Sequence, residues 1–196
     1  MALQIEKLSS TPVEGIAYKS NLSVYKGSVY GGETYGLFNG FEKIANWIYT
    51  YTLATGELLV WKEQDPYTKY KIFSGVFDIS EISFTFDKQM LPVATYMQKG
   101  VCKVYFFDSS LNKFTTIDIP EAVTPKVALN SIRTFHIQDS NVVLGYVKGE
   151  NTLCVRLQQD RYSKEIIVRV FPNKIKLFNI GYANTNRFQY DLLEAV

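Results

Sequence analysis

The chain has 196 residues, a formal net charge of +2, 46% hydrophobic and 20% charged residues; this suits one large or two small folded domains and excludes a disordered segment. Its 21 basic residues are scattered singly, without the run or stripe that follows a nucleic-acid backbone, so no nucleic-acid partner is expected. Aromatic residues reach 15%, led by Tyr and Phe, which fit a pleated, half-buried surface and lean the chain toward β structure.

Residues 1–15 are polar and read as an N-terminal arm or edge segment. They show neither the basic and apolar regions of a signal peptide nor, here or later, an apolar run long enough for a membrane span, so folding in a cytoplasm is expected. Residues 16–80 read as an irregular β region, with a degenerate repeat as the open alternative. Gly31-Gly32 and Asn39-Gly40 are turn signals between short strands. In FEKIANWIYTYT, Phe41, Ile44, Ala45 and Ile48 have helical spacing, but Trp47, Tyr49 and Tyr51 alternate, which favours a strand from about Asn46. A turn at Thr55-Gly56 then leads into LLVWK, and Asp65-Pro66 reads as a break before YKIFSGVF.

Residues 81–196 carry the strongest pattern, read as two β repeats followed by a C-terminal strand. In the first repeat Ile82, Phe84 and Phe86 share one face while Ser83, Thr85 and Asp87 share the other, the pattern of a half-buried antiparallel strand. Turns at Asp87-Lys88-Gln89, Lys99-Gly100 and Asp108-Ser109-Ser110 separate LPVATYM, CKVYFF and KFTTIDI. Pro120 and Pro125 then bound a linker. The second repeat, from Ile132 to Val170, follows the same plan about fifty residues on. Phe135 and Ile137 stand for Phe84 and Phe86, Val143, Leu144 and Tyr146 for Val93, Ala94 and Tyr96, and Lys148-Gly149 for Lys99-Gly100. The expected fold is all-β, with antiparallel four-stranded repeats arranged as a small or incomplete β-propeller or as a β-sandwich.

No residue set converges on a reaction. The single histidine, His136, is placed opposite Phe135 and Ile137 on its strand and has no triad partner in range. Cys102 and Cys154 lie in strand-like runs and read as reduced core residues, with a disulfide between them left open; no CxxC spacing is present, and no metal or cofactor is expected. Asp78, Glu81, Asp87 and Asp108 could supply a glycosidase pair, but each falls at a turn or strand end, where an aspartate stabilises the turn. Phosphate-binding glycine motifs are absent. The chain is therefore expected not to be an enzyme. Tyr30, Tyr35, Trp47 and Trp61 remain as interface or ligand aromatics, with burial in the core as the competing fate.

Three segments, SFTFDKQMLPVATYMQKGVCKVYFFD, NVVLGYVKGENTLCVRLQQDRYSKEI and NIGYANTNRFQYDLL, resemble repeats of tailed-bacteriophage virion proteins. The run Gln158, Gln159, Asp160, Arg161 and Tyr162, after two strands, is similar to the Q-x-D-R-[FY] run of tail and tail-fibre-like proteins. The resemblance covers the part of the chain from about Ile82 onward. It implies a structural tail component, an adaptor or fibre-associated subunit in the virion. Such a subunit contacts other virion proteins, forms a homo-oligomer within a symmetric assembly, and is made in the host cytoplasm. A receptor- or glycan-binding β module is the alternative. No catalytic residues come with the resemblance.

Overall fold

The computed structural model describes residues 5–7, 23–25, 29–38, 43–87, 89–129, 141–182 and 188–194. It is all-β, as the alternating pattern implies, and the one helical turn among the described residues is 3-10, Gln158–Asp160. Sheet I contains β2 (Ser23–Tyr25), β3 (Val29–Phe38), β4 (Lys43–Thr52), β5 (Glu57–Lys62) and β6 (Asp65–Phe73), paired in that order. Sheet II is the meander of β7 (Ile79–Phe86), β8 (Pro92–Gln98), β9 (Val101–Asp108) and β10 (Lys113–Ile119). Sheet III is the meander of β11 (Ala122–Leu129), β12 (Val142–Lys148), β13 (Thr152–Leu157) and β14 (Ile166–Val170). Sheet IV pairs β15 (Ile175–Tyr182) with β16 (Phe188–Glu194), and β1 (Ile5–Lys7) joins β16 in parallel.

The sheets stack face to face in chain order, and one apolar core fills each junction. Trp47, Tyr49, Tyr51, Leu58 and Val60 of sheet I meet Ile82, Phe84, Phe86 and Tyr96 of sheet II. Val93, Val104 and Phe106 of sheet II meet Val127, Leu144, Tyr146 and Cys154 of sheet III. Val143, Val147 and Val155 of sheet III meet Leu177, Ile180, Tyr190 and Leu192 of sheet IV. The leading strands neighbour one another down the stack, β3 against β7, β7 against β11 and β11 against β15. The layers are sandwich-like, and among the described residues no sheet closes on itself.

Several local expectations change. The linker between Pro120 and Pro125 is instead strand β11, with Pro125 inside it. The ladder to β12 shifts register between Val123 and Lys126, and Thr124 has φ +50°. A bulge of this kind is where a strand can hold a proline that gives no ladder hydrogen bond. The leading strand of the second repeat is thus β11, not the Ile132–Ile137 stretch, which with Phe135 and His136 lies outside the described residues. Pro66 likewise belongs to β6, an edge strand, and the break falls at Glu63-Gln64, since Lys62 already pairs with Asp65. Gly31 and Gly32 sit inside β3, opposite Thr50 and Tyr49, and β4 begins at Lys43 rather than near Asn46. Asn39-Gly40 lies outside the described residues.

The largest departure is β7. Its polar face is not solvated: Ser83, Thr85 and Asp87 are as buried as Ile82 and Phe84. The small hydroxyl side chains face sheet III, and the Val127 N–H of β11 donates to Ser83 Oγ at 3.1 Å. One junction further on, the Leu177 N–H of β15 donates to Thr124 Oγ1 at 3.2 Å. β11 and β15 thereby each have a backbone donor satisfied by a hydroxyl of the preceding sheet. Gly145 of β12 serves the same closeness between sheets III and IV. A Cβ there would stand 3.0 Å from Ile180 Cγ2 and 3.3 Å from Leu177 Cδ2.

Two substitutions test this account. Ser83→Ala leaves a buried donor unpaired and is expected to cost about 1–3 kcal/mol. Gly145→Val forces sheets III and IV apart at a similar cost of about 1–3 kcal/mol. Urea unfolding of both variants should show lower midpoints with the slope unchanged; wild-type midpoints in both would refute the packing described.

Candidate functional site

Of the four aromatics singled out from sequence, the two tryptophans take different environments. Tyr30 and Tyr35 take positions on β3 opposite Tyr51 and Asn46. Trp47 is core: its ring meets Phe86 edge-on at 4.9 Å and lies 6.0 Å from Tyr70. Trp61 is half-buried, with the Lys69 ammonium 4.9 Å from its ring centre, a cation–π contact.

The candidate carboxylates separate in the same way. Asp78 is exposed and 3.3 Å from Lys99. Glu81 lies 3.7 Å from buried Lys126, whose pKa burial lowers against the pull of that carboxylate. Asp87 and Asp108 are buried at the ends of β7 and β9, where each closes a turn. Asp87 Oδ1 accepts from the amides of Gln89 and Leu91 at 2.8 and 2.9 Å. Asp108 Oδ1 accepts from the amide and hydroxyl of Ser110 at 2.9 and 2.6 Å. Their other oxygens reach sheet III: Gln158 Nε2 donates to Asp87 Oδ2 at 3.1 Å, and Arg161 Nη2 lies 2.5 Å from Asp108 Oδ2. The Gln158–Tyr162 run, conspicuous in the sequence, is thus the turn that latches sheet III to the turns of sheet II. Tyr162 completes the latch: it is fully buried, meets Phe106 edge-on at 5.1 Å, and its hydroxyl has no hydrogen-bond partner among the described residues.

A second polar cluster lies where β13 leads into β14. Glu165 accepts from the Tyr146 hydroxyl at 2.7 Å and from Lys148 Nζ at 2.9 Å. Arg156 donates from Nε to Tyr146 Oη and from Nη1 to the Tyr162 carbonyl, both at 2.8 Å. The bonds from Tyr146 and Lys148 hold the Glu165 carboxyl below its ordinary range. An open groove of about 660 Å³ beside this cluster has Glu121, Lys148, Glu165, Ile167 and Val170 in its lining. Ile167 and Val170 are three apart yet line the same groove, because β14 shifts register against β13 between Leu153 and Cys154. The cluster binds itself; every charged head in it is matched by another.

Cys102 and Cys154 are free and buried in the core between sheets II and III. Burial pushes the Cys102 thiol up to about 12 and the Cys154 thiol to about 11, far from a reactive thiolate. Among the described residues no group of three or more His, Cys, Asp or Glu could hold a metal ion, and no helix is long and apolar enough to cross a membrane.

Sequence reasoning passed over a partly exposed aromatic cluster on sheet II, of which Phe114 is the exposed member. Tyr105 and Phe107 alternate on one face of β9, and Phe114 stands opposite Phe107 on β10. The alternation in VYFF carried the signal; its outward direction is set by the stack. No family model, curated protein or solved structure matches the chain.

The latch yields two expectations. Tyr162→Phe removes a buried, unpartnered hydroxyl and should leave stability unchanged or raise it, whereas Tyr162→Ala should cost about 3–5 kcal/mol; a large loss in the Phe variant would show that the hydroxyl has a partner. Asp108 is held below its ordinary value of 3.8, first by the Ser110 hydroxyl, and Glu165 below 4.5. Their contribution is therefore present above those ordinary values and lost as pH falls through the lower folded ones. Thermal midpoints from neutral to acid pH should fall steeply for the wild type and less for Asp108→Asn with Glu165→Gln, which starts lower; parallel curves would contradict the assignment.

Proposed function

We propose that this chain is a non-catalytic structural subunit that works through protein–protein contacts in an assembled particle. The resemblance of the segments from about Ile82 onward to tailed-phage repeats supports a virion tail as that particle, with the chain as adaptor or fibre-associated subunit repeated by symmetry. The observation that carries this reading is the apolar surface left on the sheet margins. Edge strand β14 has the sequence IIVRV, and Ile167 and Val170 are each 61% exposed. Phe178 and Leu193 are exposed on sheet IV, and Tyr67 on edge strand β6. A long-lived lone protein guards such edges with charge or cover; a subunit leaves them for its neighbours. The self-matched polar clusters agree with this reading, since their groups are engaged in holding turns and sheets.

Co-expression with the other tail subunits followed by size-exclusion chromatography tests the proposal. The chain should co-elute at fixed stoichiometry and be detected in purified particles by mass spectrometry. Ile167→Lys with Val170→Lys should abolish co-elution at an unchanged thermal midpoint. A chain that stays monomeric with every subunit and is missing from particles ends this reading.

A further inference from the structure

The stack of sheets has two ends, and each end presents an apolar face. On sheet I the residues that alternate with the core positions point away from sheet II. Ile48 of β4 stands opposite Trp61 of β5, Thr50 opposite Leu59, and Leu59 opposite Lys71 of β6. Ile48, Leu59 and Trp61 are half-buried along this face. At the other end Leu177, Ile180, Tyr190 and Leu192 point into the core shared with sheet III, which turns Leu193 outward. Leu193 is 57% exposed, and Phe178, at the register shift of β15, is 54% exposed.

Layers stacked in one dimension need a polar outer face at each terminus if the stack is to stay alone in water. Neither end of this stack meets that need. The two faces also carry opposite charges. Asp191 alternates with Tyr190 and Leu192 and so shares the outer face of sheet IV. Lys69 shares the outer face of sheet I, 4.9 Å from the Trp61 ring centre. Among the described residues neither Asp191 nor Lys69 enters an ion pair.

β1 selects the surface that meets sheet IV. It precedes sheet I in the chain, with residues 8–22 between it and β2, yet it adds to sheet IV by pairing with Phe188, Gln189 and Tyr190 of β16. Within one copy, sheets I and IV are three junctions apart. Sheet I of a second copy laid on sheet IV brings the start of that sheet beside the strand with which β1 pairs. A contact of sheet IV with another sheet IV gives β1 no such place.

We propose that copies of this chain associate head to tail, the outer face of sheet IV of one copy on the outer face of sheet I of the next. Phe178 and Leu193 pack against Ile48, Leu59 and Trp61, and Asp191 comes within reach of Lys69. The contact is a fourth face-to-face junction, continuous with the three inside the chain. Being heterologous, it closes into a ring or runs on as a helical stack, according to the rotation between copies. The inference deepens the assembly reading and rests on it: a second copy is the partner of sheet IV, and β14 is left for other subunits.

The test uses the purified full chain without other subunits. Light scattering and sedimentation velocity over a dilution series should show mass rising with concentration. Phe178→Asp and Trp61→Asp each put a charge into the contact and should weaken association at least about tenfold. Thr50→Lys, a milder change on the outer face of sheet I, stands in if Trp61→Asp does not fold. Each variant keeps one intact face. Phe178→Asp mixed with a sheet I variant should therefore form a complex of one copy of each by native mass spectrometry, although neither associates alone. A wild type that stays monomeric throughout the series overturns the proposal. So does association that Phe178→Asp abolishes and both sheet I variants leave intact, since sheet IV would then meet itself. A mixture of two folded variants that stays monomeric has the same consequence. Ile167→Lys with Val170→Lys should self-associate as the wild type does, and loss of association there would move the interface to β14. Self-association and co-elution with tail subunits are thus read in separate experiments and fail separately.

Discussion

The stack depends on leading strands that are buried on both faces. β7 sits between two cores, with Phe84 in one direction and Ser83 in the other. Bulky side chains on both faces would hold the sheets at the ordinary spacing of about 10 Å. Serine and threonine bring the backbones nearer, and nearness creates a demand: a buried N–H on the next strand has to be answered. Ser83 answers Val127, and Thr124 answers Leu177. Because the hydroxyls satisfy those donors in place, the leading strands can lie against one another with those amides paired.

The outer strands live under different conditions. Consecutive sheets twist relative to one another, and away from the leading strands the stack opens. The groove beside Glu165 lies at the margin of sheet III, and the Tyr105, Phe107 and Phe114 cluster lies on the outer strands of sheet II. The interiors of the two junctions differ, aromatic-rich between sheets I and II and mostly aliphatic between sheets II and III. That division suits a scaffold whose inner half fixes the fold and whose margins carry recognition.

Much of sheet II was legible in the sequence because its alternation is regular and its hairpins are short. Lys99 and Gly100 both have positive φ, and β8 pairs with β9 from Gln98 to Val101 across that two-residue turn. The β12–β13 hairpin could be read for the same reason. β11 could not: local chemistry argues against proline in a strand, and only the contact with β7 and β15 makes the bulged conformation worthwhile. Nor could alternation separate a solvated face from one packed against a neighbour. Ser83 and Thr85 suit either environment, and the choice is made by sheet III. The aromatics divide for a related reason, and the burial weighed against a ligand role is what Trp47 shows. Trp47 is interior, while Phe114, which reads as a core strand residue, is exposed beside the partly buried Tyr105 and Phe107.

The internal repeat takes on a different meaning in this light. β12 keeps the fifty-residue offset from β8, Pro92 to Val142, while β11 falls short of it, Ile79 to Ala122. The sequence period therefore breaks at the strand that makes the inter-sheet contact. What persists there is the contact itself, a hydroxyl of one leading strand accepting from the amide of the next, supplied by Ser83 in one sheet and by Thr124 at another point of its strand in the following sheet. The Asp108–Arg161 pair adds a second link, joining turns that follow corresponding strands. Side-chain identity can drift under such a constraint provided that a small acceptor remains within reach of the donor. A four-stranded meander with two buried faces has no stable existence alone, so selection acts on the junction between meanders, and the junction, more than the meander, is the unit that repeats.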